Sequence, residues 1–205
     1  MNTYTVLQTG KTPDFSAAPA CNVDCFPWDQ SGYRPVCTAK LLRGSDRFYL
    51  AFDAVEKELR TAARDIHPLV WHDSAVEFFL MPAPQTDGRY VNLECNAVGA
   101  MYIGVGTGRA DNVFLKDEDL FQFHVKTTIE HLPGVYHWTL TAEIPFAFLA
   151  RHTAFSDAPA GYEMRANFYK LAEKTAQPYY ACWNPVTASE PDFHRPECFG
   201  ALLCR

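Results

Sequence analysis

The sequence lacks the features that would direct a protein to a membrane or to nucleic acid. No stretch approaches the roughly 20 apolar residues needed to cross a bilayer, and the first residues lack the charged-then-apolar run of a secretory signal. Only 20% of the 205 residues are charged, and the net charge of −6 includes no basic stripe. We therefore expect no nucleic-acid or membrane partner. We also expect a cytoplasmic protein, or a secreted one if a signal has been removed from this sequence.

The cysteines follow neither a disulfide framework nor the spacing of a zinc site. Seven cysteines cannot all pair within one chain, and no CxxC motif occurs. Cys95 lies on the apolar side of an alternating run, where a thiol behaves as a small hydrophobic group. The pattern predicts buried, reduced thiols.

Helical signal is also scarce. The one clear case is Pro145 to Arg151, where proline in the first turn opens a short apolar stretch, and a further turn is expected around residues 61–65. No predicted helix is long enough to connect two parallel strands, so the strands should pair antiparallel.

What the sequence has in abundance is short alternating strands rich in aromatic residues. Phe, Tyr and Trp make up 14% of the chain, and such side chains favour a pleated surface. From Val36 onward, period-two alternation predicts about nine or ten strands, within residues 47–54, 76–80, 91–96, 101–105, 123–129, 136–144, 164–171, 179–183 and 199–203. The predicted fold is all-β, an antiparallel β-sandwich of immunoglobulin-like or jelly-roll appearance with one or two short helical turns.

The same alternation predicts which side chains form the core. The inward faces should bury Phe48, Phe78, Leu93, Trp138 and Phe168 together. We see no repeat and no low-complexity linker, so we expect one domain over residues 1–205. Residues 1–35 are rich in proline and should form an irregular lead-in across the sandwich.

A polar group interrupts this apolar pattern in the middle of the chain. Trp71 precedes a strand in which Glu77 occupies the polar side. Asn92 and Glu94 share that face if the two strands are neighbours. Trp71 can equally be read as a core aromatic residue.

Five sequence blocks together resemble a known family. They are VWxDSxVEFF at residues 70–79, YVNLECNAxG at 90–99, NFYK at 167–170, YxxWNP at 180–185 and PDFHRPExFG at 191–200. In this order they resemble the family 9-like carbohydrate-binding proteins, over roughly residues 36–203. The resemblance implies a β-sandwich with or without calcium, found in bacteria alone or attached to a glycoside hydrolase, that serves polysaccharide breakdown.

The resemblance also implies a site in which two aromatic residues sandwich a pyranose and polar strand residues bind its hydroxyls. Such a site suits a sugar, which has an apolar face and a rim of hydroxyls. By this resemblance, the matching motifs assign ligand-binding roles to Trp71, Glu77, Asn92, Glu94, Asn167, Tyr169, Phe193 and His194. Phe193 stands where better-known members carry Trp, and His194 can also be read as a turn histidine. The expected function is weak, non-catalytic binding of a mono- or oligosaccharide, with no cofactor unless calcium plays a structural role.

Two enzymatic alternatives are also compatible with the sequence. Glu77 and Glu94 could serve as acid and base of a glycosidase if they faced each other across a cleft. Cys182 and His194 could form a nucleophile and base, although no oxyanion-hole signature accompanies them.

Two further alternatives involve no catalysis. His72, Asp73 and Glu77 could hold a metal, although the alternation sends Glu77 away from the loop residues. The other alternative is a structural or interaction module that has lost its sugar site. Phenylalanine at position 193 suggests this possibility.

Overall fold

The structure, a computed structural model, describes residues 1–29, 31–115 and 118–205, with only the backbone of residues 118, 119 and 121. Residue 30 of the expected lead-in thus lies outside the described residues. The strands are β1 Thr3–Gln8, β2 Cys21–Asn22, β3 Val36–Arg43, β4 Arg47–Glu56, β5 Ala75–Met81, β6 Tyr90–Asn96, β7 Met101–Gly106, β8 Val113–Phe114, β9 Lys126–Leu132, β10 Val135–Pro145, β11 Glu163–Ala172, β12 Tyr179–Cys182 and β13 Gly200–Cys204. Helix α1 spans Phe146–His152, and short 3-10 helices span Val70–His72, Glu118–Phe123 and Pro196–Cys198.

The strands form two sheets that share β1. The first, called the site sheet here, has the order β8-β7-β6-β5-β11-β13-β1, with β12 beside β13 along the same edge of β11. The second, called the back sheet, has the order β1-β3-β4-β10-β9, and β2 also pairs with β3. The predicted all-β sandwich is therefore confirmed. Of the helices described, none is long and apolar enough to cross a membrane.

The lead-in differs from its expected irregular form. Residues 3–6 pair in parallel with residues 201–204 of β13, and residues 7–8 pair in parallel with residues 42–43 of β3. The sheets are thus mixed rather than purely antiparallel. The Tyr4 hydroxyl fixes this strand, since it accepts the Leu41 backbone N–H at 2.9 Å and donates to the Pro19 carbonyl at 2.7 Å. The sequence prediction missed β1 because parallel pairing depends on a partner at the far end of the chain.

The core lies between the two sheets, and its predicted members are confirmed. Phe48, Phe78, Leu93, Trp138 and Phe168 are all buried in one cluster. The Phe168 ring stacks on Phe78 with centroids 4.8 Å apart, which joins neighbouring strands of the site sheet. All seven cysteines are free, in line with the prediction of reduced thiols.

A buried ion pair connects the two sheets through this core. Lys170 of β11 places its Nζ 2.9 Å from Oε1 of Glu56 at the end of β4, and both side chains are fully buried. The Glu56 carboxylate also accepts hydrogen bonds from Trp138 Nε1 at 2.6 Å, the Tyr179 hydroxyl at 2.6 Å and the Ser74 hydroxyl at 3.0 Å. A buried carboxylate is tolerated when it is paired and bonded in this way.

We expect Lys170→Met to destabilise the fold strongly. The substitution keeps the volume but leaves Glu56 charged and without its cation, which typically costs about 3–5 kcal/mol. Denaturant unfolding of the purified protein measures the change. A matched double variant that also carries Glu56→Gln should lose less stability than the single variant, because no unpaired charge remains. A loss below about 0.5 kcal/mol in the single variant, as for an ordinary surface change, would contradict the structural role of the pair.

Candidate functional site

The outer face of the site sheet forms the floor of a cleft. Alternation along β5 and β6 sends Val76, Phe78 and Leu93 into the core and leaves Glu77 and Glu94 on the opposite face. Loops rise around this floor and enclose a volume of about 360 Å³. The cleft is lined by Pro68, Trp71, Glu77, Phe79, Glu94, Tyr102, Arg109, Asn112, Leu171, Glu173, Tyr180, Pro191, Asp192, Phe193 and His194.

The turn that presents Trp71 is held by a buried carboxylate. Asp73, only 1% exposed, accepts hydrogen bonds from the Ala63 backbone N–H at 2.8 Å and from Asn96 Nδ2 at 2.9 Å. Its other oxygen lies 3.2 Å from Arg60 Nε. Because these contacts occupy both oxygens, Asp73 anchors the turn and leaves the partly exposed indole of Trp71 at the cleft.

The floor places two acidic side chains directly opposite each other. Glu77 pairs with Glu94 across β5 and β6, and such neighbours have Cβ atoms about 4.5–5.5 Å apart. Glu77 is 3% exposed and Glu94 is 5% exposed. Asn92 donates to Oε1 of Glu94 at 3.0 Å, whereas Oε2 has no hydrogen-bond partner among the described residues.

Burial without a cation partner raises the pKa of both acids. For Glu77 the main cause is desolvation, and the charge of Glu94 adds to it while Arg109 opposes it. For Glu94 desolvation also dominates, and the Asn92 hydrogen bond and Arg109 oppose it. Two like charges this close resist ionising together, so the pair retains a proton at a pH where an exposed glutamate has lost it.

Arg109 is the positive side chain at the cleft rim, and Asp192 already engages it. Arg109 Nε and Nη2 lie 3.0 and 2.8 Å from Oδ1 of Asp192. Burial raises the pKa of Asp192, but the bonds and charge of Arg109 outweigh burial and hold that pKa below its ordinary value. The pair connects the loop after β7 with the loop of residues 183–199, called the closing loop here.

His194 is neutral at physiological pH. Burial, followed by the charge of Arg109, lowers its pKa to about 4. The Tyr90 hydroxyl lies 2.7 Å from Nδ1 of His194, and burial raises the pKa of Tyr90, which therefore keeps its proton. We assign the Tyr90 hydroxyl as donor to Nδ1, which makes Nε2 the protonated ring nitrogen.

Three of the residues that the resemblance proposed as ligand contacts do not line the cleft. Asn167 is fully buried and exchanges two hydrogen bonds of 2.9 Å with the backbone of Asn184. Tyr169 is fully buried, and its hydroxyl donates to the Phe193 carbonyl at 3.1 Å. Asn92 is fully buried beside Glu94, and its Oδ1 accepts a hydrogen bond from Asn112 Nδ2 at 2.8 Å. These side chains position the closing loop and Glu94, because their polar groups are already used.

The aromatic wall also differs from the expected pair of Trp71 and Phe193. Both residues line the cleft, but Phe193 is only 6% exposed. Its ring stacks on Tyr169 at 4.0 Å and packs against Trp28 at 5.6 Å. Tyr180 is partly exposed and lines the same cleft. Tyr180 is therefore more accessible to a ligand in the cleft than Phe193.

Sequence reasoning missed several polar residues of the cleft. Tyr102 pairs with Glu94 across β6 and β7, so alternation in β7 could have identified it. Its hydroxyl donates to Oδ1 of Asn112 at 2.9 Å. A Cβ at Gly104 would collide with that same oxygen, so glycine leaves the room that Asn112 occupies. Arg109 and Asn112 come from a loop without any periodic signal.

Among the described residues, neither the pair of Cys182 and His194 nor a metal site at His72, Asp73 and Glu77 is assembled. Cys182 is fully buried, and burial raises the pKa of its thiol, while His194 bonds to Tyr90 instead. Both oxygens of Asp73 are engaged away from Glu77. Within the described residues, no group of three or more His, Cys, Asp or Glu side chains could hold a metal.

Comparison with known proteins identifies a family for most of the chain. The model of carbohydrate-binding family 9 matches residues 9–204. A structure from Bacteroides uniformis ATCC 8492, described as a candidate carbohydrate-binding protein, is 26% identical with a TM-score of 0.85 over 99% of each chain. No curated protein matches.

Two further solved structures share the fold at low identity. A family 9 module from Caldicellulosiruptor kristjanssonii with cellotriose is 12% identical, with a TM-score of 0.68 over 100% of this chain and 94% of that one. A module of the same family and organism with glucose is 13% identical, with a TM-score of 0.68 over 100% and 96%.

We expect Glu77→Gln to stabilise the protein at neutral pH. A raised folded-state pKa means that the folded chain holds more protons than the unfolded chain above the ordinary glutamate value of about 4.3. Stability therefore falls as pH rises through the window between the ordinary and the raised pKa. Gln removes this loss, so the variant should gain about 1–2 kcal/mol near neutral pH and little below about pH 4.

Denaturant unfolding as a function of pH measures this difference. Glu163→Gln is a matched control, because Glu163 is exposed at the other end of β11. Parallel pH profiles for Glu77→Gln and the wild type would show that the pair does not repel in the folded state.

Proposed function

The chain belongs to carbohydrate-binding family 9, and from this premise we propose that its cleft binds a mono- or oligosaccharide without cleaving it. One observation carries the proposal. The partly exposed aromatic residues Trp71 and Tyr180 line the same cleft as Glu94, whose Oε2 lacks a partner among the described residues. Ring faces suit the apolar side of a pyranose, and carboxylates suit its hydroxyl donors.

The polar rim supports recognition of several hydroxyl groups. Nε2 of the neutral His194 carries the ring proton and can donate it to a sugar hydroxyl. The Asn112 carboxamide and the Tyr102 hydroxyl also line the cleft. Because these groups come from different loops and strands, they can contact a ring from more than one side. An open, wet cleft of this kind gives modest net affinity. We expect dissociation constants from millimolar to micromolar, about −4 to −8 kcal/mol.

The arrangement of the acids favours binding over hydrolysis. A glycosidase positions two carboxyl groups on either side of the bond to be cleaved. Glu77 and Glu94 instead lie side by side on one floor, on adjacent strands. A sugar resting on that floor meets both acids from the same side, which suits hydrogen bonding to hydroxyls.

A lost sugar site is the less supported alternative. A module retained only for its fold gains nothing from two buried acids with raised pKa values, since such a pair costs stability. Trp71 and Phe193 both remain at the cleft.

We expect Trp71→Ala to abolish measurable sugar binding by removing the ring platform. Glucose and cellotriose are the first ligands to titrate, because related family 9 modules are bound to them, and a wider glycan panel follows. Isothermal titration calorimetry measures the affinity, and an assay for released reducing sugar on the same panel should detect no product. Tyr136→Ala is the matched control, since Tyr136 is partly exposed on β10 of the back sheet. Undiminished binding by Trp71→Ala, or failure of the wild type across the panel, would contradict the proposal.

The second aromatic wall can be tested in the same titrations. We expect Tyr180→Ala to weaken binding about tenfold, in the range of one lost aromatic contact. Phe193→Trp should not strengthen binding, because the larger ring has no space between Tyr169 and Trp28 and would overpack the wall. Tighter binding by Phe193→Trp would show that Phe193 itself faces the sugar.

A further inference from the structure

We propose that the cleft selects its ligand by charge: a sugar that carries an ammonium group binds more tightly than its neutral parent, and a uronate is rejected. The inference rests on the proposed sugar-binding function and concerns the substrate class of the same cleft. Its basis is the contrast between acids that have a cationic partner and acids that do not.

The charged side chains around the cleft are predominantly acidic. Glu77 and Glu94 rise from the floor, and Glu173 and Asp192 stand at the rim. Arg109 is the cation among the described lining residues, and the neutral His194 adds no charge. The cleft therefore carries more negative than positive groups.

The rim charges are already compensated. Arg109 is bound to Asp192 through two nitrogens. Glu173 lies 3.3 Å from Lys174 Nζ. Each rim acid therefore already has a cationic partner, and Arg109 already has an anionic one.

The floor acids differ from the rim acids in this respect. Within the described residues, neither Glu77 nor Glu94 has a basic side chain within ion-pair distance, although both are at least nine-tenths buried. Glu94 Oε2 is buried without a hydrogen bond in the described part of the chain. An unpaired buried carboxylate is among the costliest groups a protein can hold, and a bound cation would remove that cost.

An ammonium group fits this requirement better than a hydroxyl. It offers three donors and a positive charge, and bonds between ionised partners are about twice as strong as neutral ones. Seated between Glu77 and Glu94, it would take the place of the proton that the pair otherwise retains. A uronate would bring a third carboxylate to the same floor, which like-charge repulsion opposes. The geometry thus favours a hexosamine with a free amino group.

Four matched ligands test the inference by calorimetry at about pH 6.5, where an amine of the α-amino kind is mostly protonated. They are D-glucose, D-glucosamine, N-acetyl-D-glucosamine and D-glucuronate. We expect glucosamine to bind about tenfold more tightly than glucose, in keeping with one charge-assisted contact. N-acetylglucosamine, which has a neutral substituent at the same carbon, should bind no more tightly than glucose. Glucuronate should bind at least about tenfold more weakly than glucose.

Variants show whether the floor acids are responsible. Glu77→Gln and Glu94→Gln should each bring the ratio of the glucose and glucosamine dissociation constants to about one, whatever the absolute affinity. Glu163→Gln, which removes an exposed acid on the same sheet, should keep the wild-type ratio. Unfolding curves verify that each variant is folded.

The outcomes separate the two proposals. Glucose binding with no preference for glucosamine would overturn charge selection and leave sugar binding intact. Equal gains for glucosamine and N-acetylglucosamine would overturn it as well, because size rather than charge would then decide. Failure of every sugar to bind would overturn the proposed function, and charge selection with it.

Discussion

The buried carboxylate of Glu56 is the interaction on which the arrangement of the two sheets depends. It belongs to the back sheet, yet it receives the Lys170 ammonium and the Tyr179 hydroxyl from the site sheet. It also receives the Ser74 hydroxyl from the residue that precedes β5. Since a buried charge is stable only while its partners stay in place, this carboxylate fixes one sheet against the other. It thereby fixes the turn that carries Trp71, three residues earlier in the chain.

The Glu77 and Glu94 pair is the opposite case within the same molecule. Glu56 has hydrogen-bond donors and a cation around it, whereas the floor pair has the single amide of Asn92 and no cation in contact among the described residues. Protein structures seldom keep such a pair without a use, because it lowers stability. One buried acid therefore supports the fold, whereas the other two contribute no stabilising ion pair among the described residues.

Hydrogen bonds and ring packing behind the cleft hold its walls in place. Trp28 donates its indole N–H to the Ala188 carbonyl at 2.7 Å and packs against Phe193. Asn167 and Tyr169 fasten the closing loop from below. These contacts hold the irregular closing loop against the site sheet without any ligand present, and a site ordered in advance spends less free energy on binding.

Local sequence patterns predicted which side chains face the core and which face the cleft. Alternation of apolar and polar residues depends only on the geometry of one strand, so it correctly placed Phe78 and Leu93 in the core and Glu77 and Glu94 on the other face. The five motif blocks identified the family, and with it Trp71 and Phe193 at one cleft. The other features of the site depend on contacts between residues that are far apart in the sequence.

Contacts between distant parts of the chain leave no local signature. The bond between Arg109 and Asp192 spans 83 residues, and the pairing of β1 joins the two ends of the chain. Asn167 and Tyr169 share strand β11 and its outer face, but the closing loop covers them and turns expected ligand contacts into supports. The raised pKa values of Glu77 and Glu94 have the same origin. They arise from desolvation by loops that fold over the sheet, and the order of the residues along the chain does not encode that burial.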